Sequence, residues 1–318
     1  MRKRKAMPER VVAVIPLYNK AATINRALAS IMAQTRRPDA VVVVDDGSTD
    51  DSVARIEPQY RAQIELLSIP NGGPGGARNR GARHVEADLI AFLDADDEWY
   101  PDHLDSAMRA LAAEPACGAY VAAYDVGADK AAKREEVRAL FPRSGVWSIA
   151  AFHDPRALKA YIDSIHSSST VVRREVFERL GGFFDRERCT YGEDAWLWLQ
   201  LAFTMPVYVD REYRTRFHVE DSALGHALAG RHPRHPALRF ADELRARIPA
   251  ERRALLDRLL AYYRLIETEK LAARGDCAEV PALRRAFRFG GRIPLRLIAR
   301  DARVHLTCLR RGRAPTKA

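Results

Sequence analysis

This sequence predicts an α/β chain with a mostly parallel central sheet flanked by helices and a helical C-terminal extension, and three observations carry the prediction. Short apolar runs rich in β-branched residues alternate with segments of helical periodicity through the first hundred residues. The acidic and glycine-rich motifs of this half fall where those runs end. From Pro236 onward the sequence turns largely helical.

The elements follow in order. Val11–Ile15 is a continuous apolar run suited to a strand buried on both faces. Within Ala21–Gln34, Ile24, Leu28, Ile31 and Met32 repeat at helical spacing. Ala40–Val44 follows Pro38 as a second strand, and Thr49 or Asp50 offers a cap for a short helix reaching about Tyr60. Ile64–Ile69 reads as a third strand, Gly76–Val85 as a helix and Leu89–Leu93 as a fourth strand. A helix at His103–Ala113 and a strand at Cys117–Tyr124 come next, then a charged surface excursion at Asp129–Arg138 and short elements through residues 165–220. Leu255, Leu256, Leu259, Leu260, Tyr263 and Ile266 form an apolar stripe in the helical region. Gly225, Gly230, Pro233 and Pro236 mark a boundary, giving a basic tail over 1–9, an α/β domain over 10–230 and a helical, basic region over 231–318.

Composition bounds the function. With 318 residues, 47% hydrophobic and 30% charged, the chain is not disordered throughout, and no apolar run approaches the ~20 residues of a membrane span. The basic N-terminus precedes an apolar segment too brief, and too soon broken by Pro16, for a signal peptide, so a cytoplasmic location is expected. Cys117, Cys189, Cys277 and Cys308 show no C-x-x-C spacing and read as buried or incidental thiols. Residues 284–318 hold ten Arg and one Lys against Asp301 alone, which equals the +10 of the whole chain. A near-balanced, enzyme-like body therefore carries a cationic end, open to an anionic lipid surface, an anionic glycan or a nucleic acid, or simply a solvated helix face.

Three acidic clusters stand out: Asp45-Asp46-Gly-Ser-Thr-Asp50-Asp51, Asp94-Ala-Asp96-Asp97-Glu98 and Glu193-Asp194. Crowded carboxylates repel one another and are costly to desolvate unless donors, a cation or water offset them. The second cluster leaves an apolar strand with no intervening turn, and strand alternation aims Asp94 and Asp96 the same way. Two hard oxygen ligands on one side suit Mg²⁺ or Mn²⁺ better than zinc. Between the first two clusters, Asn71-Gly-Gly-Pro-Gly-Gly-Ala-Arg78-Asn-Arg80-Gly81 opens a helix whose free N–H groups suit an anion. It matches neither the dinucleotide fingerprint nor the Walker A pattern, so hydride and γ-phosphoryl transfer lose their usual support. The hydroxyl-rich run His166-Ser-Ser-Ser-Thr170 fits a sugar contact or an ordinary turn, and Trp147, Trp196 and Trp198 read as core anchors before sugar platforms.

Together, Val12-Ala-Val-Ile-Pro16-Leu-Tyr18-Asn19, Val44-Asp45-Asp46-Gly-Ser-Thr-Asp50, Ala77-Arg78-Asn79-Arg-Gly81, Leu93-Asp94-Ala-Asp96-Asp97, Gly181-Gly-Phe and Gly192-Glu193-Asp194 closely resemble glycosyltransferase family 2, the inverting enzymes of the Rossmann-like GT-A fold. The resemblance covers roughly residues 10–220. It implies that Pro16, Leu17 and Tyr18 line the nucleotide base and ribose, that Asp46 accepts from a pyrimidine imide such as uracil, and that Asn71 and Arg78 complete the pocket. Asp94 and Asp96 match the family's D-x-D pair, which holds the ribose and the metal, with Asp96 the direct ligand. Asp194 falls at the general base, and Glu193 shapes the acceptor site beside it. His218 lies near where some members place a metal or diphosphate contact, or is a packed structural histidine.

The resemblance thus implies a Mn²⁺- or Mg²⁺-dependent transfer from a nucleotide-sugar donor, UDP-sugar by preference, to a glycan or lipid-linked acceptor in cell-surface polysaccharide synthesis. After Pro294 the C-terminal segment mixes Arg with Ile298, Val304 and Leu306, a composition compatible with peripheral association at an anionic membrane on the inner face; a dimer contact or a helix packed on the catalytic domain explains the apolar residues equally well. A nucleic-acid-binding protein is the rival from another class, but the carboxylate clusters would repel phosphates, and no nucleic-acid partner is expected. A sugar-nucleotide pyrophosphorylase is the nearer rival, lacking its Arg- and Lys-bearing glycine-rich signature after the first strand.

Overall fold

The computed structural model describes residues 9–126, 139–221, 234–290 and 294–312. It divides into one unit of residues 1–151 with 160–233, and a second of residues 152–159 with 234–318. The expected excursion at Asp129–Arg138, most of the basic tail and most of the expected boundary near 225–235 lie outside the described residues.

The first unit is built on a nine-stranded mixed sheet. Its strands are β1 Val11–Leu17, β2 Ala40–Asp45, β3 Glu65–Ser68, β4 Leu89–Phe92, β5 Glu98–Trp99, β6 Ala119–Asp125, β7 Gly145–Trp147, β8 Thr170–Arg173 and β9 Val207–Arg216. Their order is β3-β2-β1-β4-β8-β6-β9-β5, with β7 added on β9. The first four are parallel, and β1, β2 and β4 carry the apolar runs that a sheet covered on both faces buries: Val11, Val12, Ala13, Val14 and Ile15 are all fully buried. β8 enters antiparallel between β4 and β6, while β6 and β9 run parallel to each other. The carboxyl ends of β1, β2, β4, β6 and β9 and the amino end of β8 therefore meet along one rim.

Helices α1 Ile24–Met32, α2 Pro58–Arg61, α3 Pro74–His84, α4 His103–Ala113, α6 Arg174–Leu180 and α7 Glu193–Thr204 accompany the sheet, while α5 Pro155–Asp163 is divided between the two units after Lys159. On one face, Ile24, Leu28 and Ile31 of α1 join Ile15, Val43, Leu104 and Leu111 in the core. The helix expected from Thr49 to Tyr60 is shorter than read. Asp50 accepts from the Ser52 N–H and hydroxyl, a local turn that competes with helix, and only Pro58 restarts one. Trp196 and Trp198 are buried within α7.

The second unit holds α8 Pro236–Arg239, α9 Ala241–Arg247, α10 Arg253–Arg274, α11 Val280–Ala286 and α12 Leu295–Gly312. Tyr262, Leu265, Ala272, Val280, Leu297 and Val304 form its own core. Of the expected stripe, Leu256, Leu259, Leu260 and Tyr263 are buried and Leu255 and Ile266 half-buried. The cysteine expectation holds for only two of the four: Cys277 and Cys308 form a disulfide, while Cys117 and Cys189 are buried thiols. Thirty-one residues separate the pair, so only the packing of α12 beside the end of α10 brings them together. Among the described residues no helix is long and apolar enough to cross a membrane.

Candidate functional site

Every candidate site residue from the sequence lies in the first unit, on the rim, on loops leading from it, or in α3 and the first turn of α7. β1 ends in Pro16 and Leu17, half-buried and buried, and delivers Tyr18 to the surface with 46% of it exposed. Asn19 follows with φ 52°, and its side-chain oxygen accepts from the Thr49 N–H at 2.8 Å. The loops after β1 and β2 are thereby stitched together.

Asp46, just past β2, is buried, and its two oxygens accept from the N–H groups of Gly72 (2.6 Å) and Gly73 (2.9 Å). Burial pushes its carboxyl above the ordinary range against these two hydrogen bonds. The contact depends on the glycine-rich segment. Gly73 sits at φ 88°, and a Cβ on Gly75 would stand 2.4 Å from the Phe184 carbonyl and 3.3 Å from Glu193 Cγ. Asn71, half-buried, accepts from Arg188 Nε at 3.3 Å.

Arg78 gathers two of the three acidic motifs. It is buried in α3, donating from Nη2 to Asp94 Oδ1 (2.6 Å) and from Nη1 to Glu193 Oε1 (3.2 Å), with its guanidinium 5.2 Å above the Phe183 ring. Burial opposes its charge, yet the Asp94 and Glu193 carboxylates hold Arg78 above its usual range. Burial likewise opposes the Asp94 charge, but Arg78, then His166, hold that carboxyl low. Glu193 is pushed up to about 7 by burial and by Asp194. Gly192, left-handed at φ 76°, starts α7, so Glu193 and Asp194 occupy its first turn. Asp194 is half-buried and accepts from the Ala195 N–H at 2.7 Å.

Asp96 and Asp97 take different environments. Asp96, nearly buried, has Lys20 Nζ on its carboxylate, and that ammonium also donates to the Asp221 carbonyl at 2.8 Å. Burial and the Asp94 charge nonetheless raise the Asp96 carboxyl. Asp97 is fully buried, accepting from Ser168 Oγ (2.6 Å) and the His218 N–H (3.2 Å). Burial and its two aspartate neighbours push it well up. Ser168 Oγ in turn accepts from the Asp94 N–H at 3.1 Å, locking the start of β8 to the end of β4. The His218 ring lies between Glu98 (Nε2, 2.9 Å) and Glu220 (Nδ1, 3.0 Å).

Asp94, Asp97 and His166 can each bring one ligand atom within 4.8 Å of the others, and the set of two carboxylates and an imidazole is compatible with a divalent cation. The sequence reading missed His166 and Asp97 as such a set, and missed Lys20. His166 heads a serine run whose meaning depends on the reversed direction of β8. Lys20 reaches Asp96 across 76 residues, a contact no local pattern signals.

Comparison with known proteins identifies the family and the fold. The family model described as glycosyl transferase family 2 matches residues 12–181. The chain is 36% identical over 184 residues to the succinoglycan biosynthesis protein ExoW of Rhizobium meliloti (strain 1021), covering 54% of this chain and 57% of that protein. It thus spans little more than half of that relative's length. Among solved structures, S. aureus TarS 1-349 in complex with UDP superposes with a TM-score of 0.58 at 16% identity, over 96% of this chain and 93% of the other. The mannosyltransferase PcManGT from Pyrobaculum calidifontis, in complex with GDP-Man and Mn²⁺, does so with a TM-score of 0.58 at 22% identity, over 96% and 85%. At these identities the structures show the GT-A fold.

Proposed function

The chain belongs to glycosyl transferase family 2, and from that premise we propose an inverting, metal-dependent glycosyltransferase that works in the cytoplasm. It moves a sugar from a nucleoside-diphosphate sugar, UDP-sugar by preference, to a hydroxyl of a glycan or lipid-linked acceptor in cell-surface polysaccharide synthesis. The observation that carries this reading is Arg78, whose fork ties the end of β4 to the first turn of α7 and so sets the donor-side and base-side carboxylates over one rim. UDP and GDP-Man in the structures of TarS and PcManGT, and the role of ExoW in succinoglycan biosynthesis, support the donor class and the polysaccharide context.

In this mechanism Pro16, Leu17 and Tyr18 line the base and ribose. The Asp46 carboxylate, steadied by two backbone donors, keeps lone pairs for a base imide N–H. Asn71 closes the pocket, and Arg78, whose terminal nitrogens are committed to carboxylates, serves it by holding Asp94 for the ribose. Asp96 and His218 are the proposed holders of Mn²⁺ or Mg²⁺, with Asp94, Asp97 and His166 as the alternative set. The fit rests on hard oxygen donors and on the cation that the buried Asp96 already accepts from Lys20. A bound divalent ion would offset the charge of the departing diphosphate. Asp194, beside the acceptor-shaping Glu193, takes the proton of the attacking hydroxyl as the bond to the sugar forms, contributing roughly 10²–10⁴ in rate. One displacement from the face opposite the leaving group inverts the anomeric centre.

The test is turnover with a panel of nucleotide sugars. Asp194→Asn is expected to lose transfer by that factor with donor binding intact, and Asp96→Ala to lose metal-dependent turnover. Normal rates in both variants, retention of configuration, or release of pyrophosphate in place of a nucleoside diphosphate would overturn the assignment.

A further inference from the structure

Helix α12 carries apolar residues on two faces. Leu297 and Val304 point into the core of the second unit. Leu295, Ile298, Leu306 and Leu309 are between 46% and 82% exposed. With exposed Ala299 and Ala302 among them, they recur at steps of three and four and make one outward stripe.

The charges sort in the same way. Arginines facing the unit are matched by acids: Arg264 and Arg284 by Asp301, and Arg300 by Glu269. Arg285, Arg288, Arg303 and Arg310 are exposed and have no carboxylate partner among the described residues. A cavity of about 490 Å³ opens beside Ile298, walled by Arg285, Arg288, Phe289 and His305 together with the paired Arg284 and Asp301. Unmatched cations thus border an exposed apolar stripe and an Arg-lined recess, a pattern complementary to a layer with phosphate heads and acyl tails.

We propose that this face docks on an anionic lipid surface, the stripe entering the boundary between headgroups and acyl chains while the recess takes a lipid phosphate. The inference goes beyond the catalytic reading and does not depend on it, since all these residues belong to the second unit.

The full chain is sedimented with vesicles of phosphatidylcholine alone or mixed with phosphatidylglycerol. Binding is expected to favour the mixed vesicles by about tenfold or more and to weaken with salt. The double variant Ile298→Glu/Leu306→Glu, altered only at exposed positions, is expected to lose about tenfold with unchanged circular dichroism and melting temperature. Arg303→Glu/Arg310→Glu is expected to abolish the lipid preference. Equal binding to both vesicle types, retained binding by the Ile298/Leu306 variant, a dimer that this variant dissolves without any vesicle binding, or preferential retention on RNA would each overturn the proposal. A melting-temperature rise with UDP, measured in parallel, reports on the donor site and separates failure here from failure of the transferase reading.

Discussion

Replacing Arg78 with Met removes the buried guanidinium that the buried Glu193 and the half-buried Asp94 share. Breaking a buried ion pair from one side costs about 3–5 kcal/mol, because the partners remain desolvated without compensation. Loss of the contact with the Phe183 ring, 5.2 Å away, adds about 0.5–2 kcal/mol. The total of roughly 3.5–7 kcal/mol corresponds to a melting temperature lower by roughly 7–28 °C for a unit of this size. The deficit is expected to be largest above pH 7 and to narrow in acid, because Glu193, already held up to about 7, moves higher still without Arg78 and is neutral at low pH. Urea and thermal unfolding at several pH values read the stability, and isothermal titration with UDP reads the donor site, where Kd should rise at least about tenfold as Asp94 loses its holder. Arg78→Lys keeps a charge but not the fork and should recover only part of both. A variant that melts within a few degrees of the parent at every pH, with the same Kd, would show that Arg78 does not organise this rim.

Three further outcomes are expected. Glu193→Gln isolates a pH effect: the buried carboxyl binds its proton more tightly in the folded chain (about 7) than in the unfolded one (4.5), so its contribution is complete below about 4.5 and lost as pH passes 7. Parent stability relative to the Gln variant should therefore fall by roughly 3 kcal/mol across that window in denaturant titrations, and a flat difference would refute the assignment. Gly182→Ala combines a left-handed φ of 77° with a Cβ 2.4 Å from Asn79 Oδ1, so about 2–4 kcal/mol should be lost in urea unfolding. Cys308→Ser opens a link across 31 residues, and unfolding of the helical unit should become easier by about 3 kcal/mol, with dithiothreitol reproducing the effect on the parent chain.

Much of the first half was legible because its signals are local. Val11–Leu17, Ala40–Asp45 and Leu89–Phe92 are apolar runs too dense for any place but a two-sided parallel sheet, and the His103–Ala113 helix was read with its observed bounds. The rest required contacts between distant residues. Nothing near Thr170–Arg173 indicates that it runs backwards between β4 and β6, and the ten-residue β9 alternates too weakly to stand out. At the site, the motifs identified the acids, yet their pairing was hidden: Arg78 with Glu193 spans 115 residues, Ser168 with Asp97 spans 71, and Cys277 with Cys308 needs α12 in place.

The reversed course of β8 has a mechanical consequence. Because it runs antiparallel between β4 and β6, its amino end reaches the rim where the parallel strands finish. Ser168, just ahead of it, accepts from the Asp94 N–H and donates to Asp97, so any shift of that segment is felt at two rim carboxylates at once.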